Sequence, residues 1–169
     1  MQSIAQLDRQ AFFKLFNHTL SSRRKRVIRA ISKLGDGPLY VIAGGILYLI
    51  GTTNSHLALM SLVLAFACER PVYFFLKNIL KRERPSQCIV TGFVEPSDKF
   101  SLPSGHSSAA WLFYVILTWY FPILMPLLAI ALAISLSRVM LGVHYPCDII
   151  AGALLGCTFA YFGIAGVAL

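Results

Sequence analysis

Two long stretches of this chain carry no Asp, Glu, Lys or Arg: Gly37 to Ala67, and Ser101 to Ser137. Each exceeds the roughly 20 residues that an α-helix needs to cross the hydrocarbon core of a bilayer. Over 169 residues, 57% are apolar and only 13% are charged. A water-soluble core at this length could not enclose so much apolar surface. The chain is therefore expected to be an all-α integral membrane protein, because helices satisfy their own backbone groups in lipid.

Turn residues divide the apolar runs into spans. Gly51-Thr52-Thr53-Asn54-Ser55-His56 splits the first, and Tyr120-Phe121-Pro122 splits the second. Asp36-Gly37-Pro38 reads as a helix start, with Asp as cap and Pro in the first turn. The spans predicted are Leu39 to about Gly51, about Leu57 to Leu76, 105–121, 123–141, and Asp148 to Leu169. The first is marginal in length unless its flanks join in. The expectation is a bundle of five transmembrane helices, with a sixth only if the N-terminal segment crosses. Trp119, Tyr120, Tyr145 and Tyr161 fall near span ends, as interfacial aromatics do, although such residues also fill cores.

Residues 1–35 differ in kind. Ile4, Leu7, Phe12, Leu15, Phe16 and Leu20 interleave with Asp8, Arg9 and Lys14. After Ser21-Ser22 come Arg23-Arg24-Lys25-Arg26, then Val27, Ile28, Ile31 and Leu34 at helical spacing. This pattern suggests one or two amphipathic helices in the membrane interface, with cations near lipid head groups. A solvated basic tail is the alternative. Asp8, Arg9 and Lys14 interrupt any core that a cleavable signal peptide would need.

The net charge is +8, with Lys and Arg concentrated in the first third and between Lys77 and Lys99. Such a surplus can meet nucleic acid, anionic lipid or a phosphate substrate, and this hydropathy favours the last two. Cys68 and Cys157 lie in apolar runs and read as small hydrophobes. Cys88 and Cys147 fall in polar connections, where they either meet or, more simply, stay free. No metal-ligand spacing occurs.

Successive spans alternate in direction, so three polar places open on one membrane face. They are Lys77 to Pro85, Ser104-Gly105-His106, and Ser137 to Asp148. Lys77, Arg84 and Arg138 have few acidic neighbours in the sequence. Cations at head-group level often only snorkel, and Lys81, Arg82 and Lys99 fit that role. Three cations converging on two histidines and a helix start ask for an anion instead. Arg offers bidentate contacts to phosphate and Lys a mobile point charge. Ser104-Gly105-His106 opens a helix, where backbone N–H groups favour an oxyanion and Gly105 permits close approach, although a plain Ser N-cap explains it too. His144 and Asp148 are four residues apart. If the last helix begins at Tyr145-Pro146, Asp148 can reach one imidazole nitrogen and leave the other free to attack phosphorus.

These residues match a known pattern. Lys77 with Arg84-Pro85 after six intervening residues, Pro103-Ser104-Gly105-His106, and Ser137-Arg138 with His144 and Asp148 resemble the three signature motifs of the type-2 phosphatidic acid phosphatase superfamily. Vanadium haloperoxidases and acid phosphatases share them. The set is complete, in order, and covers about residues 77–148. The resemblance implies that His144 is the nucleophile and forms a phosphohistidine, that Asp148 orients it, and that His106 protonates the leaving group and then activates water. Lys77, Arg84, Ser104, Gly105 and Arg138 would hold the phosphoryl oxygens, with no metal or other cofactor. With the amphipathic pattern noted above, the chain is expected to divide into an interfacial segment over residues 1–35 and a transmembrane phosphatase domain over 36–169. Many bacterial relatives have six spans, one more than is expected here.

The substrate implied is a lipid phosphate or diphosphate: phosphatidic acid, phosphatidylglycerophosphate or polyprenyl diphosphate. Membrane lipids are the remaining partners, and nucleic acid is not expected. A lipid phosphotransferase would share every motif. A non-enzymatic binder of anionic lipid would account for the charge but not for both histidines. Glu69 and Arg70 are ionisable within a span and so draw notice, with Glu69 either facing the cavity beside Lys77 or pairing with Arg138. A multi-pass protein of the bacterial inner membrane is expected; the surplus cations of residues 23–26 favour a cytoplasmic catalytic face, whereas many bacterial relatives that act on lipids face the periplasm.

Overall fold

The computed structural model describes residues 4–17, 21–96 and 98–168. Among them there are helices and no strands. In chain order these are α1 (Ile4–Asn17), α2 (Ser22–Lys33), α3 (Gly37–Ile50), α4 (Thr53–Leu80), the short α5 (Pro85–Cys88), α6 (Gly105–Tyr120), a 3₁₀ stretch (Pro122–Leu127), α7 (Leu128–Met140) and α8 (Pro146–Ala168). Leu20, Leu169 and the Ile4 side chain, all named above, lie outside the described residues. The chain is a multi-pass membrane protein. Three stretches, Thr53–Cys88, Pro122–Met140 and Pro146–Ala168, are long and apolar enough to cross a bilayer, and Gly37–Ile50 is a shorter apolar helix.

The turn between the first two spans is tighter than the sequence suggests. Gly51 ends α3 with φ +69°, a left-handed conformation that glycine adopts without strain. Thr52 then caps α4 by accepting the Ser55 N–H at 3.2 Å. So α4 starts at Thr53 rather than near Leu57, and its 28 residues span about 42 Å. Pro71 lies within it.

Helix α6 is short, but it is the central one. Ala109, Ala110, Leu112, Phe113, Ile116 and Leu117 are all buried. The close neighbour is α8, whose Gly152 and Gly156 lie against it. A Cβ at Gly152 would stand 2.4 Å from the Ser104 carbonyl oxygen, and one at Gly156 2.2 Å from that of Ser108. Lipid gives helices no hydrophobic drive to associate, so small residues that permit close backbone packing supply the attraction. This contact fixes the start of α6, and so His106, against the start of α8, and so Asp148.

The N-terminal helices are not a solvated tail. Phe12 and Phe16 are buried against Val139, Ile149 and Tyr145, and Ile28 packs with Leu141 and Val143. Tyr145 and Tyr120 serve the interior: Tyr145 packs 5.5 Å from Phe12, and the Tyr120 hydroxyl meets Ser61 at 2.9 Å. Trp119 and Tyr161 are exposed on the helix surface, as belt residues are. All four cysteines are free; Cys88 donates to Glu83 rather than meeting Cys147.

Candidate active site

The alternating helices bring the three polar places to one end of the bundle, around a cavity of about 1070 Å³. Arg84, Gly105, His106, Arg138 and His144 line its polar end. Lys77, Ser104 and Asp148 stand behind that wall, each buried. All the residues singled out from the sequence are therefore gathered within one neighbourhood, in two layers.

His144 leaves the loop between α7 and α8 and is 2% exposed. Its Nε2 lies 3.1 Å from an Arg84 nitrogen. A guanidinium can only donate, so Nε2 is the acceptor and Nδ1 carries the proton. Nδ1 is 3.7 Å from Asp148 Oδ2 and has no hydrogen-bond partner. The expected contact is thus an aligned electrostatic pair rather than a formed hydrogen bond. Asp148 is held by others: Oδ2 accepts from the Tyr145 N–H at 2.7 Å, and Oδ1 accepts from Arg82 at 2.8 Å. Burial pushes the His144 imidazole down to about 3, with the Arg84 and Arg138 charges assisting and Asp148 opposing. A neutral, desolvated imidazole whose unprotonated Nε2 lone pair points at the Arg84 cation is suited to attack a phosphorus held there, once an arriving phosphate takes over the Arg84 contact.

Arg84 also donates to the Val143 carbonyl at 2.8 Å and to the Asp98 carbonyl at 3.1 Å, which locks its plane. Its remaining arm and Lys77 Nζ (2.8 Å) share the Asp98 carboxylate. Tyr73 donates to the same carboxylate at 3.1 Å and accepts from Lys77. Burial disfavours charge on Asp98, but Lys77 and Arg84 outweigh it and hold the carboxyl below its ordinary range. Asp98 therefore sits as an internal anion between two cations. No motif contains it, and a single acid in a polar connection gave the sequence no signal for it.

Arg138 is 6% exposed; one arm donates to Ser32 Oγ at 2.6 Å, while its Nε has no partner. A buried guanidinium N–H beside a cavity is costly unless something fills its need, and an oxyanion would. Glu69 does not pair with Arg138. It is fully buried, bound by the adjacent Arg70 and by the Ser108 hydroxyl, so it serves the α4–α6 contact. Arg82, grouped with the snorkelling cations on sequence, bridges Asp148 and Asp8 and lies 4.1 Å over the Tyr145 ring. Asp8, from α1, in turn accepts the Cys147 N–H at 2.9 Å.

His106 is more open, its side chain 23% exposed, and its Nε2 is 3.0 Å from Asp36 Oδ1. Ser104 caps α6: its hydroxyl accepts the Ser107 N–H at 3.5 Å and its own N–H donates to the Asp148 carbonyl at 3.0 Å. Gly105 leaves room for Tyr73, whose hydroxyl would be 2.8 Å from any Cβ placed there. Among the described residues no group of His, Cys, Asp and Glu is arranged to hold a metal.

Away from this polar end the cavity continues between α3 and α4 along Tyr40, Gly44, Leu59, Leu62 and Phe66. One end holds the charged groups, Arg84 and Arg138 with Asp36 and Asp98, and the other is apolar.

A sequence model described as the PAP2 superfamily matches residues 57–168. Phosphatidylglycerophosphatase B of Bacillus subtilis is 31% identical over 77% of this chain and 68% of its own length. An undecaprenyl-diphosphatase of Sulfolobus acidocaldarius is 28% identical over 90% of this chain and 75% of its own. A decaprenylphosphoryl-5-phosphoribose phosphatase of Mycobacterium tuberculosis is 29% identical over 49% of this chain, which spans about half (46%) of that relative. Among solved structures, LpxE of Aquifex aeolicus superposes with a TM-score of 0.83 over 94% of this chain and 95% of its own; at 22% identity this is a likeness of fold. A transmembrane PAP2-type phosphatidylglycerolphosphate phosphatase from Bacillus subtilis gives 0.77 at 28% identity, over 99% and 87%.

Proposed function

The chain belongs to the PAP2 superfamily, and from that premise we propose that it hydrolyses a phosphomonoester or diphosphate on a membrane lipid through a phosphohistidine. The observation that carries this is the two-ended cavity: Arg84, Arg138 and two histidines at one end, and a lipid-facing apolar groove at the other. Such a shape suits a phosphate on a long hydrophobic tail better than a free sugar phosphate. The relatives' names point the same way, toward lipid phosphates and diphosphates.

The chemistry follows from the parts. The phosphoryl group enters among Lys77, Arg84, Arg138 and the first-turn N–H groups of Gly105 and His106, competing with the Asp98 carboxylate for two of the cations. His144 Nε2 attacks phosphorus in line, and the bond from phosphorus to the leaving oxygen breaks. His106 gives that oxygen a proton. The Nδ1–H of His144 faces Asp148, which stabilises the charge the ring acquires. Water then attacks the phosphohistidine, His106 takes one of its protons, and the N–P bond breaks to release phosphate. The cations supply the charge stabilisation on which phosphoryl transfer mainly depends, each such donor being worth about 3 kcal/mol in a dry site. The basic run 23–26, before α3 on the catalytic side, favours a cytoplasmic orientation.

Phosphate release from a panel of lipid monophosphates and diphosphates in detergent tests this. Release from at least one, lost by about 10⁴-fold or more in His144→Ala, is expected, with inhibition by vanadate as a transition-state mimic. Full turnover in His144→Ala would overturn the nucleophile assignment. A phosphorylated lipid product appearing only when an acceptor lipid is added would make it a phosphotransferase.

A further inference from the structure

We propose that Asp36 is a positioning residue for His106, so that the junction between α2 and α3 completes the catalytic site from outside the three motifs. The proposal rests on His106 being the proton donor to the leaving oxygen, as assigned above.

Asp36 occupies the N-cap of α3 with extended backbone, φ −80° and ψ 145°. A capping Asp ordinarily turns its carboxylate onto the helix's own first N–H groups, a bond worth about 1 kcal/mol. Asp36 makes no such bond. Its carboxylate is turned outward, with Oδ1 3.0 Å from His106 Nε2, across 70 residues of sequence. The residue before it closes the contact. A Cβ on Gly35 would stand 3.0 Å from His106 Cδ2 and 2.8 Å from Ile134 Cγ2, so the backbone passes directly against the ring. The same stretch supplies Ser32 to Arg138 at 2.6 Å. Gly35, Asp36, His106 and Arg138 all line one cavity. The match to the superfamily begins only at residue 57, so none of the junction falls within it.

The consequence is a division of labour between the ring nitrogens. With Nε2–H held by Asp36, Nδ1 is the nitrogen left to carry the mobile proton. The imidazolium passes its Nδ1 proton to the leaving oxygen as the P–O bond breaks and becomes neutral. It recovers a proton at Nδ1 from the attacking water in the second step, while Asp36 keeps its contact with Nε2–H. A carboxylate that fixes tautomer and ring angle acts on proton transfer and not on phosphate binding.

Leaving-group dependence separates this role from a structural one. The full-length protein in detergent is assayed on a long-chain alkyl phosphate and on an alkylated nitrophenyl phosphate, whose phenolate leaves without a proton. Asp36→Asn is expected to lower kcat on the alkyl phosphate by about 10- to 100-fold, with KM within about twofold and the aryl substrate within about threefold. Asp36→Glu should restore most of the loss, and Asp36→Asn combined with His106→Ala should be no slower than His106→Ala alone. Equal loss on both substrates, an unchanged alkyl kcat, or multiplicative losses in the double variant would overturn the proposal. Selectivity present in His106→Ala but missing from Asp36→Asn removes the role of Asp36 alone. A His106→Ala variant without selectivity removes the proton-donor assignment and this proposal with it. Because the Asp36 side chain caps nothing, Asp36→Asn should keep the wild-type unfolding temperature, which checks that the fold is intact.

Discussion

The two histidines line one cavity, yet they live in different surroundings. His144 is walled in, 2% exposed, and its partners Arg84 and Asp148 both come from the motif segments. His106 is 23% exposed and leans on Asp36, Gly35 and the N-terminal junction. The difference suits the tasks proposed for them. A nucleophile gains from desolvation, because an imidazole that stays neutral keeps its lone pair. A group that passes protons to a departing chain and takes them from water has to meet both, and so stands at the opening.

The comparison can be tested in order of effect. Arg138 lines the same cavity as the two histidines, and its unpartnered Nε is the donor most plainly waiting for an oxyanion. Arg138→Ala should cost about 10²- to 10³-fold in kcat/KM on every substrate, whatever the leaving group. A loss confined to poor leaving groups would place Arg138 on the side of His106 instead. Next comes Arg82, which reaches His144 only through Asp148. Arg82→Gln should lower kcat about tenfold, equally on alkyl and aryl phosphates, in contrast to the selective loss expected at Asp36. Unequal losses would dissolve the distinction between the two sides.

The smallest effect is thermodynamic. The His144 imidazole is held down to about 3 in the fold, whereas in an unfolded chain it titrates near 6.5. Between those values the unfolded state binds the extra proton, so stability falls as pH drops from about 6.5 toward 3. Asp98, lowered by its cations, acts in the same direction, losing its contribution as pH falls below about 4. The unfolding temperature should decline steadily on acidification, and His144→Ala should flatten the upper part of that decline. A wild-type curve that is level from pH 7 to 4.5 would contradict the burial of His144.

Much of this was legible along the chain. The uncharged runs gave five apolar helices in the right order, because in lipid a missed charge is expensive and few patterns survive. Lys77, Arg84, His106, Arg138, His144 and Asp148 stand out because they carry the three motifs, at helix ends that alternate across a membrane. Other partners were not legible. Asp8, Asp36, Asp98 and Arg82 are single charges in polar stretches, and nothing local distinguishes an internal ion pair from a solvated one. Glu69 stands out as an ionisable residue within a span, yet it neither lines the cavity nor meets Arg138, since Arg70 beside it and Ser108 on α6 claim both oxygens.

By itself the sequence determined the medium, the helix order and the three motifs from which the proposed chemistry follows, all properties set by composition and short-range spacing. Only the tertiary structure decided which acid faces which base. It folded the N-terminal helices onto the catalytic end, turned Asp36 away from its own helix toward His106, and put Asp98 between Lys77 and Arg84. Those pairings join residues separated by as many as 74 positions, as between Asp8 and Arg82, or 70, as between Asp36 and His106. They depend on how closely helices such as α6 and α8 approach, a distance set by packing rather than by any pattern along the chain.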